Sequence, residues 1–174
     1  VRRRALLAGA ASALAAGCGY ALQGRGITTD PSIKRIGVPL FKDQSNKPGL
    51  DARVTQAVME ELLKRGRFTV VREATGVDAV VEGEITAWSV VPVNFSGSTG
   101  TTQATRYAIS LTASVVYRKV GQKDPLWAND AFVQRDEYDM DENAQNYFDR
   151  EEQSVERLSA AFARSLVAAM LEAF

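Results

Sequence analysis

The sequence contains no histidine and a single cysteine, Cys18. Without histidine there is no Ser-His-Asp or Cys-His catalysis, no His-ligated zinc and no His-based pH sensor. One cysteine forms neither an internal disulfide nor a Cys-x-x-Cys metal site. An excess of one charge is also missing: 21 Lys and Arg balance 21 Asp and Glu, so the totals point to no nucleic-acid partner and to no anionic membrane surface. No apolar run reaches the roughly 20 residues that a spanning helix takes. What is present, 45% hydrophobic and 24% charged residues in 174 positions, is the composition of one ordinary folded domain behind a short N-terminal segment. Most enzyme classes are excluded, and the expectation is a protein that is not an enzyme.

The N-terminal segment has the layout of an export signal. Arg2, Arg3 and Arg4 form a basic region, residues 5–16 are apolar, and Ala15, Ala16 and Gly17 stand immediately before Cys18. The apolar run is too short to span a bilayer and reads as a signal peptide over residues 1–17. Small residues before a cysteine resemble the lipobox, in which the thiol is acylated before cleavage. The usual Leu three residues before the cysteine is Ala15 here, with Leu14 one position further out. Cys18 is therefore the expected lipidation site, carrying diacylglycerol and an acyl chain. Each buried methylene contributes about 0.8 kcal/mol, so several chains on one residue give stable anchoring. Gly19, where an Asp marks inner-membrane retention, points to the outer membrane. The string Arg3-Arg4-Ala5-Leu6-Leu7 is also compatible with a twin-arginine signal, and both export routes stay open. Cleavage before Cys18 removes three of the 21 basic residues and leaves 18 against 21 acidic ones, a net charge of about −3.

Residues 18–32, polar and rich in Gly and Thr, read as a lipidated tether, and residues 33–174 as one domain. Residues 33–41 form a strand that Pro39 ends early, and residues 42–49 a turn-rich loop. Leu50, Val54, Val58 and Leu62 recur every four residues and predict an amphipathic helix stopped by Gly66. A short strand over 68–71 follows. Residues 79–93 alternate, with Val81, Gly83, Ile85, Ala87 and Val91 on one face and Glu82, Glu84, Thr86 and Trp88 on the other. After a Gly/Ser/Thr loop over 94–105, residues 106–119 alternate again, predicting an antiparallel hairpin, and residues 126–135 add a further strand. Val155, Leu158, Phe162, Leu166, Met170 and Phe174 predict a long C-terminal amphipathic helix. This order implies an α/β (α+β) sandwich: a mixed, mainly antiparallel sheet of about four strands with both helices on one face. The uncovered face is then expected to carry Trp88, Val90, Val116, Trp127 and Val133, either as a plain solvent face or as a partner face.

Three motifs invite a chemical reading. Asp139, Asp141 and Asn143 have the spacing of the first EF-hand ligands, but Ala144 replaces the turn glycine and Arg150 the bidentate glutamate, so no metal site is expected. Acids at the start of the last helix instead suit its dipole. Gly97-Ser98-Thr99-Gly100 is neither a nucleophile elbow nor a Walker loop and reads as a hairpin tip. Arg106, Arg118, Lys119 and Lys123 lie near hairpin ends as candidate contacts for an anion, or as edge protection. The pair Glu82 and Glu84 belongs to a wet strand face.

Taken in order, Cys18-Gly19-Tyr20-Ala21-Leu22, Ile36-Gly37-Val38-Pro39-Leu40-Phe41, Asn46, Pro48-Gly49-Leu50 and Ala79-Val80-Val81-Glu82-Gly83-Glu84-Ile85, with the long hairpin and C-terminal helix, resemble the LPS-assembly lipoprotein family, LptE. The resemblance covers nearly the whole chain beyond the signal segment. It implies a Gram-negative outer-membrane lipoprotein on the periplasmic side that plugs an LptD-type β-barrel and takes part in inserting lipopolysaccharide into the outer leaflet. The implied partners are that barrel, lipopolysaccharide and, through Cys18, outer-membrane lipid, with no nucleic acid and no cofactor beyond the covalent lipid. Positive side chains suit lipopolysaccharide phosphates, which gives Arg106, Arg118, Lys119 and Lys123 their assignment. The alternative is a tethered periplasmic regulator of a cell-envelope synthase, like the lipoprotein activators of peptidoglycan synthases.

Overall fold

A computed structural model describes residues 30–65, 67–97, 103–139 and 147–172. The elements run β1 (Arg35–Gly37), β2 (Lys42–Asp43), α1 (Leu50–Lys64), β3 (Thr69–Val71), β4 (Ala79–Ser96), β5 (Gln103–Lys119), β6 (Trp127–Asp139) and α2 (Tyr147–Glu172). The expected class holds: one mixed sheet with two helices. It has six strands rather than about four, in the order β3-β1-β4-β5-β6, with β2 pairing β4 beside β1. The one strand not read in the sequence, β2, falls in the turn-rich loop expected over residues 42–49. Past Pro39 the chain rejoins β4, Lys42 opposite Glu84 and Asp43 opposite Ile85. Strands β1, β2 and β3 are parallel to their neighbours, whereas β4, β5 and β6 form an antiparallel meander.

Helix α1 forms where the four-residue apolar spacing predicts it. Leu50, Val54, Val58 and Leu62 are each at most 1% exposed, and each contributes on the order of 1.5–3 kcal/mol by leaving water. Asp51 in the first turn and Lys64 in the last complement the helix dipole. The expected stop at Gly66 lies outside the described residues. Buried Thr55 ties α1 to the loop after β1: its hydroxyl accepts from the Phe41 N–H at 3.0 Å and donates to the Asp51 carbonyl at 2.7 Å. In α2, Val155, Leu158, Phe162, Leu166 and Met170 are buried as their spacing predicts, and Phe174 lies outside the described residues. The helix starts are joined by ion pairs, Lys47 with Glu151 at 2.5 Å and Arg53 with Glu152.

Between helices and sheet lie Ile36, Phe41, Val81, Ile85, Ile109, Leu111, Ala113, Val115 and Tyr117, with Phe132 edge-on to Phe162 at 5.4 Å between ring centroids. Two close approaches demand glycine. A Cβ on Gly83 would stand 2.1 Å from the Phe41 ring, and one on Gly37 would stand 2.3 Å from the Glu73 carbonyl oxygen.

The long strands depart from simple alternation. Ile85 pairs with Ala113 and Ala87 with Thr112, so Thr86 is one residue too many and β4 bulges. A one-residue slip moves every later side chain to the other face. Trp88 and Val90, opposite Leu111 and Ile109, therefore pack against the core, while Ala87 and Val91 are exposed. A second irregularity, between Ala113 paired with Phe132 and Val115 paired with Asn129, does the same in β6. Trp127, opposite Tyr117, also packs against the core. Of the five residues expected together on the uncovered face, Trp88, Val90 and Trp127 thus belong to the helix side, and Val116 and Val133 remain on the open one.

Candidate functional site

Among the described residues no helix covers the second face of β4, β5 and β6, and several of its side chains pair across the strands. Glu82 on β4 pairs with Arg118 on β5. Further along, the Ser89 and Ser110 hydroxyls are 2.7 Å apart, and the Thr86 hydroxyl donates to the Thr112 carbonyl at 3.3 Å. At the far end Arg106 on β5 bonds Asp139 on β6 at 2.7 Å and lies 3.8 Å from Glu137. That bond lowers the Asp139 carboxyl and raises the Arg106 guanidinium from their ordinary pKa values. Cross-strand pairs of this kind each contribute roughly 0.2–1 kcal/mol. They make a polar, self-paired surface interrupted by Val116, Ala108 and Val133, the last 46% exposed. Where the open face meets the loop after β1, a groove of about 370 Å³ is lined by Pro39, Leu40, Lys42 and Val116, with Glu82 and Glu84 on one side.

The four cations singled out in the sequence do not converge. Arg106 and Arg118 lie twelve residues apart on one strand, about 40 Å at strand rise, and each faces carboxylates. Lys119 donates to Asp30 Oδ2 at 2.5 Å and to the Ser32 hydroxyl at 2.8 Å. Lys123 is exposed in the turn after β5. Asp139 of the discounted calcium motif is committed to Arg106, and Asp141 and Asn143 lie outside the described residues, as do Ser98, Thr99 and Gly100 of the tip motif. Of the acidic run, Asp136, Glu137 and Asp139 belong to β6 rather than to the start of α2. Among the described residues no group of three acidic or metal-binding side chains comes together. A polar cleft of about 490 Å³ between β6 and α2 mixes both signs, Glu137 and Asp139 with Arg150 and Arg157, and Arg157 reaches Asp136 at 3.3 Å.

Sequence reading missed a clamp at the opposite end of the sheet. Asp78, just before β4, accepts the N–H groups of Lys34 and Arg35, both at 2.8 Å, and these two bonds hold its carboxyl below the ordinary range. Asp30 is lowered more strongly, first by Lys119 and then by Ser32. Beside them burial pushes the Tyr117 phenol up to about 12, with the Asp30 charge adding to the shift. Residues 30–35 are thereby fixed to the ends of β4 and β5. The partners are 43 to 89 residues apart in the chain, so no local pattern announces them.

The sequence model of the family described as LptE, Lipopolysaccharide-assembly, matches residues 33–170. No curated protein matches the chain. Among solved structures, the chain is similar to rare lipoprotein B from Shewanella oneidensis, with 14% identity, a TM-score of 0.51, and coverage of 79% of this chain and 93% of that one. It is also similar to the hypothetical protein CT253 from Chlamydia trachomatis, with 9% identity, a TM-score of 0.50, and coverage of 80% and 98% respectively. At these identities the likeness is one of fold.

Proposed function

Since the chain belongs to the lipopolysaccharide-assembly family LptE, we propose that it is an outer-membrane lipoprotein, anchored through Cys18, that plugs an LptD-type β-barrel and supports insertion of lipopolysaccharide. The observation that carries the plug reading is the open face of β4–β6. A barrel lumen is polar and enclosed. A face of hydroxyl rows and cross-strand ion pairs suits such a space, with the exposed Arg135 on the same face as the charge that a partner's acidic group would meet. No helix among the described residues is long and apolar enough to cross a membrane; in this reading the lipid on Cys18 and the partner supply attachment. Lys119 is held by Asp30 and Ser32 and Arg118 faces Glu82, which leaves the exposed Lys123 as the better-placed phosphate contact of the four.

The test is isolation of the full-length, C-terminally tagged chain in mild detergent from the membranes of its native cell. A large heat-modifiable β-barrel in equal amount is expected. A peptidoglycan synthase in its place, or no partner, contradicts the plug reading and leaves the family assignment intact.

A further inference from the structure

The even balance of charge over the whole chain hides an uneven distribution. From Ile85 to Thr105, toward the tip of the β4–β5 hairpin, the sequence has no charged residue. The other end of the sheet gathers the start of β1, the residues before β3 and β4, and the turn after β5. There the Thr69 N–H donates to the Lys34 carbonyl, the Asp78 N–H to the Arg35 carbonyl and the Val120 N–H to the Asp78 carbonyl, at 2.8, 2.9 and 2.9 Å. Arg67, Lys34, Arg35 and Lys123 therefore lie across this one end, from β3 to the turn after β5, within roughly 15 Å at ordinary strand spacing. All four are exposed, and none of them is in an ion pair among the described residues. The acids at the same end are mostly engaged. Asp30 is bonded to Lys119 and Ser32, Asp78 accepts two backbone N–H groups, and Glu61 faces Lys64 and Arg65. Asp124 is exposed beside Lys123.

Such a surface attracts anions, and the place where the chain enters points to which. Asp30 and Ser32, bonded to Lys119, lie among these cations. Twelve residue steps lead back from Asp30 to Cys18, at most about 40 Å of extended chain, and they add Arg25 and no acid. A lipid on Cys18 holds this end at high effective concentration beside a leaflet surface. Phe95, sixteen residues along β4 from Ala79, stands about 50 Å away at strand rise. Basic residues next to a membrane anchor are drawn to anionic headgroups within about a Debye length, roughly 8 Å at physiological salt.

We propose that Lys34, Arg35, Arg67 and Lys123 form a contact surface for the phosphates of anionic phospholipids in the leaflet that holds the anchor. The proposal rests on the anchor at Cys18 and not on the barrel. For Lys123 it means phospholipid rather than lipopolysaccharide as the source of phosphate.

The experiment uses the chain purified from the membranes of its native cell and reconstituted in vesicles of phosphatidylcholine, alone or mixed with phosphatidylglycerol or with lipopolysaccharide. Each vesicle contains a lipid whose headgroup carries a quencher. A fluorophore is attached through Gln122→Cys, in the turn beside Lys123, or through Phe95→Cys as the distant control; the unsubstituted chain reports any labelling of Cys18. Both sites are exposed, so the substitutions leave the core intact, and circular dichroism of each variant verifies this. Phosphatidylglycerol is expected to raise quenching at position 122 several-fold over phosphatidylcholine and to leave position 95 unchanged. The rise is expected to vanish in about 0.5 M salt, and in the combined variant Lys34→Gln, Arg35→Gln, Arg67→Gln and Lys123→Gln. Equal quenching with and without phosphatidylglycerol, or an equal rise at both positions, overturns the proposal. A rise with lipopolysaccharide alone overturns it in favour of that lipid. Flotation with phosphatidylcholine vesicles reads the anchor separately: a chain that does not float refutes the anchor, whereas a floating chain without the phosphatidylglycerol effect refutes the proposal alone.

Discussion

Gly83 has no room for a methyl group, because the Phe41 ring lies where its Cβ would be. Phe41 is itself held, through its N–H, by buried Thr55. Gly83→Ala therefore forces the ring out of the core, and overpacking of this kind costs about 1–3 kcal/mol. Urea unfolding of the variant is expected to show that loss as a lower midpoint at unchanged slope. Asp78 makes a prediction of opposite character, because its role depends on charge. Its pKa is lowered on folding from the ordinary 3.8 by the two N–H groups it accepts, so the unfolded chain binds the proton more tightly. The stability it contributes is present above about pH 4 and is lost as pH falls through its folded value. Asp78→Asn is thus expected to be less stable than the parent at pH 7, with the gap narrowing at pH 2–3. A gap constant across that range contradicts the charge-based account. Gly83 and Asp78 differ in legibility: Gly83 interrupts a visible strand pattern, whereas nothing near Asp78 in the sequence points to residues 34 and 35.

Among the elements, the two helices are the most legible, because one stripe of apolar residues at a single period specifies each. Leu158, Phe162 and Leu166 come out buried where that period places them. Phe162 meets Phe132 across the core, and its replacement by Ala is expected to cost 3–5 kcal/mol in the same unfolding measurement. The long strands are half legible. In β5 the alternation of Ile109, Leu111, Ala113, Val115 and Tyr117 survives intact. In β4 it fails after Ile85, because one additional residue, Thr86, exchanges the faces of everything beyond it. A bulge is set by the fit of two strands against each other, and sequence alternation alone offers no mark of where it falls. That is why Trp88, Val90 and Trp127, read as an outer face, belong to the core side. The acidic run misled for a related reason: charge suits both a helix start and an exposed edge strand, and β6 takes the first three acids.

For the molecule as a whole, the fold sets its two ends apart. The clamp of Asp30, Asp78 and Lys119 fixes the first described residues at one end of the sheet, and the uncharged hairpin tip lies at the other. If Cys18 carries the lipid, Cys18→Ala abolishes acylation of the chain; metabolic labelling of cells with a radioactive fatty acid checks this, and label persisting in the variant contradicts the assignment. The open face of β4–β6 lies between the two ends and is the side assigned to the barrel. Its direct test is photo-crosslinking in the native cell, with a benzoyl-phenylalanine replacing either Val133 on the open face or Leu63 on α1, residues that are 46% and 50% exposed. Barrel-sized adducts from position 133, with few or none from position 63, are the predicted result. Adducts from position 63 in the absence of any from position 133 would contradict the assignment of the open face to the partner.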